Sequence, residues 1–151
     1  MKNIAIILAG GSGNRFKNAT PKQFLFLNDR RVIDYSISTF KNHQDIDDII
    51  IVCHQQWLKK MESEYPYKIV CGGKTRQESS LIGLKACPIK TSNVLIHDAA
   101  RPFISNKLIS KSINLLEKYE AINISKKAID TTVIVKDHLI DSIPDRSNIF
   151  C

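Results

Sequence analysis

The chain has no C-x-x-C pair. Its four cysteines, Cys53, Cys71, Cys87 and Cys151, stand far apart, so a structural zinc site has no ligand framework. Cys53 and Cys71 each close an apolar run, a setting for a buried thiol. Long apolar runs are missing too. Ile4 to Ala9 follows Lys2 and ends at Gly10, too short for a signal peptide or a membrane span. A reduced, cytoplasmic protein with no membrane partner is the default that follows. There is no long basic tract either: the lysines are dispersed, and only Lys59-Lys60 and Lys126-Lys127 are adjacent lysine pairs. Internal repeats and low-complexity linkers are also absent.

What is present is a chain of 151 residues, 43% hydrophobic. That suits one domain with a core of its own and excludes a mainly disordered polypeptide. The formal charge of +7, from 22 Lys+Arg against 15 Asp+Glu, favours a phosphate-bearing partner without naming one.

Elements alternate along the chain. Asn3 to Ala9 reads as a fully buried strand, continuous and ended by glycine. Ile33, Ile37 and Phe40 recur on one helical face. Asp48 to Cys53 reads as a second strand, residues 55 to 63 as a helix, and Tyr67 to Cys71 as a third strand. Thr75-Arg76-Gln77-Glu78 fits a capping box, so a helix should begin there, with Leu81 and Leu84 facing inward. Pro88 bars it from continuing. Asn93 to His97 reads as a fourth strand, and Ile109, Ile113 and Leu116 mark another helix. Ala121 to Val135 reads as interrupted strand, and Lys136 to Pro144 as a hairpin or arm. This order predicts an α/β fold: a Rossmann-like three-layer sandwich with a mostly parallel sheet, plus a β-arm near the C-terminus. Ligands in such sheets sit beyond the carboxyl ends of the strands. The loops 10 to 22, 72 to 79 and 98 to 103 fall at that edge.

The first loop reads Leu8-Ala9-Gly10-Gly11-Ser12-Gly13-Asn14-Arg15, then Pro21-Lys22-Gln23-Phe24. Gly10, Gly11 and Gly13 let backbone N–H groups approach a ligand without a β-carbon between. Arg15 offers a forked donor pair and Lys22 a point charge on a long stem. Together they could neutralise a triphosphate. Two better-known phosphate loops do not fit. Gly73-Lys74-Thr75 has Lys68 where a P-loop places its first glycine, and Gly11-Ser12-Gly13 is followed by Phe16 where a dinucleotide fingerprint needs a third glycine. No carboxylate stands at the end of the second strand, Cys53-His54, to bind a ribose, so a nicotinamide enzyme is not expected.

L-A-G-G-x-G-x-R followed by P-K-Q-F resembles the signature of the cytidylyltransferases of small polyol phosphates. These comprise the 2-C-methyl-D-erythritol 4-phosphate cytidylyltransferases and, as close relatives, the ribitol 5-phosphate cytidylyltransferases. The likeness continues in order through Gly72-Gly73-Lys74-Thr75-Arg76-Gln77-Glu78-Ser79, His97-Asp98-Ala99-Ala100-Arg101-Pro102 and Asp130-Thr131. It implies transfer of CMP from CTP to a polyol phosphate, with pyrophosphate released. The implied catalytic pair is Arg15 and Lys22, holding the triphosphate. Ala9, Gly10, Gly11, Gly13, Gly72 and Ser79 would bind the nucleotide, the glycine-loop backbone and Ser79 reading the cytosine. Asp98, Ala99, Arg101, Thr131 and Arg146 would serve the substrates. Asp98 could meet ribose, a metal-bound water or the polyol, whereas Arg101, Thr131 and Arg146 match positions that hold the polyol phosphate. Mg²⁺ would bridge the CTP phosphates, with no metal site built from side chains. The whole of 1–151 would form the nucleotidyltransferase domain. Residues 131–146 would form a dimerisation arm whose Arg146 completes a neighbouring subunit's site.

Each residue also has a plainer reading. Ser79 can satisfy backbone in a first helical turn, Asp98 can cap a short turn, and Arg101-Pro102 can be a rigid connector. His97 reads as a packing or hydrogen-bonding residue, and His43, His54 and His138 read as surface. Trp57 reads as an anchor between a helix and the core.

The choice of polyol divides by segment. Thr75 to Ser79 and His97 to Arg101 lean to the methylerythritol type. Ala128 to Val133 and Ser142-Ile143-Pro144 lean to the ribitol type, with Lys127 and Val133 standing where the former usually has proline and lysine. The reading favours methylerythritol phosphate. Family members continue past Asn148-Ile149-Phe150-Cys151 with a Q-T-P-Q segment and further core, so the resemblance implies a truncated domain, weakly active and poorly soluble by itself. The competing class is a non-catalytic nucleotide or nucleic-acid module. It lacks aromatic–basic interleaving, and it requires salt-sensitive polynucleotide binding with indifference to CTP. The preferred reading includes no nucleic-acid partner.

Overall fold

Strand β1, Asn3–Ala9, is buried at every position, and the rest of the first unit is organised around it. The computed structural model describes residues 2–11 and 20–150. It divides into two units, Met1–Lys118 and Tyr119–Cys151. In the first unit a 3₁₀ turn, Lys22–Phe24, precedes the short strands β2 (Phe26–Leu27) and β3 (Arg30–Arg31). Helix α1 (Val32–Lys41), strand β4 (Asp48–Cys53), helix α2 (Leu58–Glu64) and strand β5 (Lys68–Cys71) follow. Helix α3 (Arg76–Ala86), strand β6 (Asn93–Asp98) and helix α4 (Asn106–Leu116) complete the unit.

The four long strands form one sheet in the order β5-β4-β1-β6, and every pairing in it is parallel. The period-two rule of a strand then sorts the core. Ala5, Ile7 and Ala9 point to one face and join Ile33, Ile37 and Phe40 of α1, Met61 of α2, and Ile109 and Ile113 of α4. Ile4, Ile6 and Leu8 point to the other face and pack with Ile50, Val52, Val70 and Ala86. Each isoleucine fully buried in this way contributes about 1.5–3 kcal/mol. Helices on both faces of a parallel sheet give the predicted three-layer α/β arrangement.

Helix α3 reaches the sheet differently from the expectation. Leu81 and Leu84 are exposed, and the inward positions are Ser79 and Gly83. A β-carbon on Gly83 would lie 2.7 Å from Ile6 Cγ2 and 3.1 Å from Val52 Cγ2. The helix therefore sits too close to β1 and β4 for a leucine to fit between, and bulk is placed outward. A second correction concerns His43, which is buried. Its Nδ1 accepts from the Asp45 N–H at 3.2 Å, which places the proton on Nε2, 2.9 Å from Ser110 Oγ. A satisfied imidazole costs little to bury. Trp57 does anchor to the core, its ring stacked on Phe24 with centroids 4.4 Å apart.

The second unit contains the hairpin β7 (Ile134–Lys136) and β8 (Leu139–Ser142). Its two connecting residues, Asp137 and His138, both have positive φ, 48° and 64°, as a two-residue primed turn requires. The strand expected over Ala121 to Val135 does not form upstream of Ile134. Residues 121–133 carry only an isolated bridge from Lys127 to Phe150. Lys126-Lys127 and Asp130 interrupt that apolar stretch, so period-two alternation fails there.

Candidate active site

Parallel register sets the geometry of the carboxyl edge. Ala9 is level with Cys53, Cys53 with Cys71, and Leu8 with Asp98. The three loops that follow β1, β5 and β6 therefore leave the sheet along one rim.

The first loop begins at Gly10, and Gly11 is exposed with open space where a β-carbon would stand. Gly13 and Arg15 lie outside the described residues. At the far end, Lys22 opens its 3₁₀ turn and is exposed, while Pro21 before it and Gln23 and Phe24 after it are buried. Gln23 is the clasp: its Nε2 donates to Ala9 O at 2.7 Å and to Gly11 O at 2.9 Å. One buried amide thus ties the end of the loop back to its start. It fixes the backbone beneath Lys22.

The second loop is shaped by the start of α3. Thr75 caps the helix, its Oγ1 accepting from the Glu78 N–H at 3.1 Å. Glu78 Oε2 accepts in return from the Lys74 N–H at 2.7 Å, one residue before the position a regular capping box would use. Ser79 Oγ accepts from the Gly73 N–H at 3.1 Å. The plain structural role of Ser79 is therefore real, yet its own O–H can still donate. A β-carbon on Gly72 would stand 2.9 Å from this hydroxyl and 3.3 Å from Val52 Cγ1; on Gly10 it would stand 3.7 Å from the same oxygen. Gly10, Gly72 and Ser79 are thus neighbours.

The third loop starts at the end of β6. Ala99 is buried, and its N–H extends the ladder by donating to Leu8 O at 2.9 Å. The Arg101 N–H donates to Asp98 O at 3.0 Å, closing a tight turn. The Asp98 carboxylate holds two guanidinium groups: Arg76 Nε at 3.0 Å from Oδ1 and Arg101 Nε at 3.2 Å from Oδ2. Two cations on one anion leave this rim with an excess positive charge. Thr131 and Arg146 belong to the second unit, where Thr131 is exposed and Arg146 Nη1 donates to Ile129 O at 3.2 Å.

Sequence reasoning missed three residues here, Arg76, Gln23 and Ser36, whereas His97 packs and hydrogen-bonds as read. Arg76 was visible only as part of a capping motif, though an arginine at the first helical position beside a glycine loop is a charge signal. Gln23 lay within P-K-Q-F without a role. Ser36 falls on the same helical face as Ile33 and Phe40, and a hydroxyl in an apolar stripe marks a buried hydrogen bond. His97 Nε2 lies 2.9 Å from Arg101 O and 3.1 Å from Ser36 Oγ. Burial holds its imidazole below the ordinary value of 6.5.

Residues 3–151 match the family of 2-C-methyl-D-erythritol 4-phosphate cytidylyltransferases (IspD). The 2-C-methyl-D-erythritol 4-phosphate cytidylyltransferase of Clostridium acetobutylicum is 39% identical, over 99% of this chain and 69% of that protein. The ribitol-5-phosphate cytidylyltransferase of Vibrio parahaemolyticus is 35% identical, over 96% of this chain and 66% of that protein. Among solved structures, the 4-diphosphocytidyl-2C-methyl-D-erythritol synthase of Anaerococcus prevotii superposes with a TM-score of 0.81 at 31% identity, over 99% of this chain and 67% of that one. The chain thus spans about two thirds of the length of these relatives. The family match over nearly the whole chain, together with these likenesses, shows that the chain belongs to the IspD family of nucleotidyltransferase enzymes.

Proposed function

We propose that this protein transfers CMP from CTP to 2-C-methyl-D-erythritol 4-phosphate, releasing pyrophosphate. The observation that carries this reading is the fork on Asp98, which joins the base-reading loop through Arg76 to the 98–101 turn through Arg101. Both reactants are polyanions, so catalysis is mainly charge neutralisation and alignment. A polyol phosphate oxygen attacks the α-phosphorus in line, the bond to the β-phosphate bridge breaks, and no covalent protein intermediate forms. Lys22 and Arg15 stabilise the charge that grows on the α-phosphate and the leaving pyrophosphate. Gly10, Gly11, Gly13, Gly72 and the Ser79 hydroxyl receive the cytidine, with Ala9 at the base of the loop. Asp98, Ala99 and Arg101 face the second substrate, Arg101 at its phosphate; Thr131 and Arg146 are the arm's polyol-phosphate ligands, Arg146 completing the site of a neighbouring subunit.

Mg²⁺ enters with CTP as part of the substrate. Among the described residues no group of three or more His, Cys, Asp or Glu is placed to hold a metal, and Asp98 is engaged by two arginines. The ion's ligands would be phosphate oxygens and water, as the coordination habit of magnesium allows. Residues 131–146 are assigned to a dimerisation arm. Leu139 and Ile140 on its hairpin are exposed at 73% and 64%, and a second copy of the chain would cover them. No helix among the described residues is long and apolar enough to cross a membrane, and the reading needs none.

Ribitol 5-phosphate is the alternative acceptor. It is favoured by the Ala128 to Val133 segment and by the 35% identity to a ribitol-5-phosphate cytidylyltransferase. Pyrophosphate release from the four nucleoside triphosphates, each paired with both polyol phosphates, tests the assignment. Turnover only with CTP and methylerythritol phosphate supports it; preference for ribitol phosphate selects the alternative. Indifference to every triphosphate, with salt-sensitive polynucleotide binding, would return the chain to the binding-module class.

A further inference from the structure

The Arg101 backbone is held more firmly than its exposed side chain suggests. Its N–H closes the turn on Asp98 O at 3.0 Å. Its carbonyl receives two donors, His97 Nε2 at 2.9 Å and Ser36 Oγ at 3.3 Å. Pro102 follows, and a residue before proline is confined to extended ψ values. A carbonyl only accepts, so the imidazole proton sits on Nε2. The ring is in turn fixed by α1: Ser36 and Phe40 are both fully buried, and Phe40 meets the ring edge-on, centroids 5.4 Å apart at 66°.

We propose that His97, with Ser36 behind it, is a positioning residue that aims Arg101 at the phosphate of the second substrate by fixing the Arg101 carbonyl. The proposal rests on the reading of Arg101 as a ligand of that phosphate. His97 itself takes no part in proton transfer, since its one N–H is spent inside the fold. The clamp matters because the Arg101 side chain is 79% exposed. Among the described residues, its direction is set by the backbone beneath it and by its contact to Asp98. A guanidinium that drifts by about 1 Å loses much of its value in an aligned complex. Helix α1 therefore reaches the reaction through one carbonyl oxygen.

The test compares His97→Leu, His97→Gln, Ser36→Ala and Arg101→Ala in the complete enzyme. Each is assayed for KM of both substrates, kcat and thermal melting. His97→Leu removes the donor, whereas His97→Gln can supply an N–H near the Nε2 position. The expected result is a KM for the polyol phosphate raised about tenfold in His97→Leu, with KM for CTP within about twofold and near-recovery in His97→Gln. Ser36→Ala, the gentler change, should shift the same constant in the same direction. Equal changes in both KM values would overturn the proposal. So would a fall in kcat that only tracks the folded fraction. Should His97→Leu fail to fold, an unchanged polyol KM in Ser36→Ala overturns it, and a raised one supports it. An unchanged polyol KM in Arg101→Ala would instead refute the underlying assignment of Arg101, and the proposal with it.

Discussion

Arg76 Nε, at the first position of helix α3, lies 3.0 Å from Asp98 Oδ1 at the end of strand β6. The helix that shapes the second loop and the strand that launches the third are thereby tied by charge. The pair is exposed, with 65% of the Arg76 side chain accessible. Its contribution to stability is therefore under about 1 kcal/mol, and its effect should be seen in substrate handling. Asp98→Ala is predicted to lower kcat/KM on the order of a hundredfold while leaving the melting temperature nearly unchanged, because two guanidinium groups lose their common anchor. Steady-state kinetics beside a thermal melt checks both halves.

Ser79 carries the corner between Gly10 and Gly72. Ser79→Ala removes the acceptor of the Gly73 N–H and should cost about 1 kcal/mol of stability. It should raise KM for CTP without changing KM for the polyol phosphate. Gly72→Ala places a β-carbon 2.9 Å from the same hydroxyl and is expected to raise KM for CTP in the same way. Kinetics with each substrate varied in turn separates the two constants.

Gly83 permits the approach of α3 to the sheet. Gly83→Ala would bring a methyl to 2.7 Å from Ile6 Cγ2, so overpacking should destabilise the protein by about 1–3 kcal/mol. A urea titration should show a lower midpoint with an unchanged slope. Activity per folded molecule should be retained.

The His97 imidazole gives stability a pH dependence of known sign. Its folded value is held below 6.5, mainly by burial, so the unfolded chain binds the proton more readily. Its contribution is present above 6.5 and is lost as pH falls through that value toward the lower folded one. Melting temperatures should drop on acidification across this range in wild type, and drop less in His97→Gln.

The sheet was legible because β1 and β4 are unbroken apolar runs ended by glycine or a polar residue, the mark of a strand buried on both faces. The rim was legible as motifs: the glycines, Ser79, Asp98 and Arg101 carry chemistry in their own side chains or their lack of one. Gln23 and Ser36 escaped because their role is to satisfy backbone groups distant in sequence, and nothing local marks such a partner. Leu81 and Leu84 misled for the opposite reason. Apolar spacing names a helical face, but the close approach allowed by Gly83 decides which face is inside. His43 misled likewise, since its partner Ser110 lies on a helix a long way along the chain.

Lys22 is the described cation assigned to the triphosphate, and its replacement tests the account most directly. Formation of the cytidine diphospho-polyol should be followed from CTP and methylerythritol phosphate with the wild-type enzyme and with Lys22→Ala. The account predicts product from the wild type and a loss of about a hundredfold or more in kcat for Lys22→Ala, at an unchanged melting temperature. Equal turnover by both enzymes would contradict it.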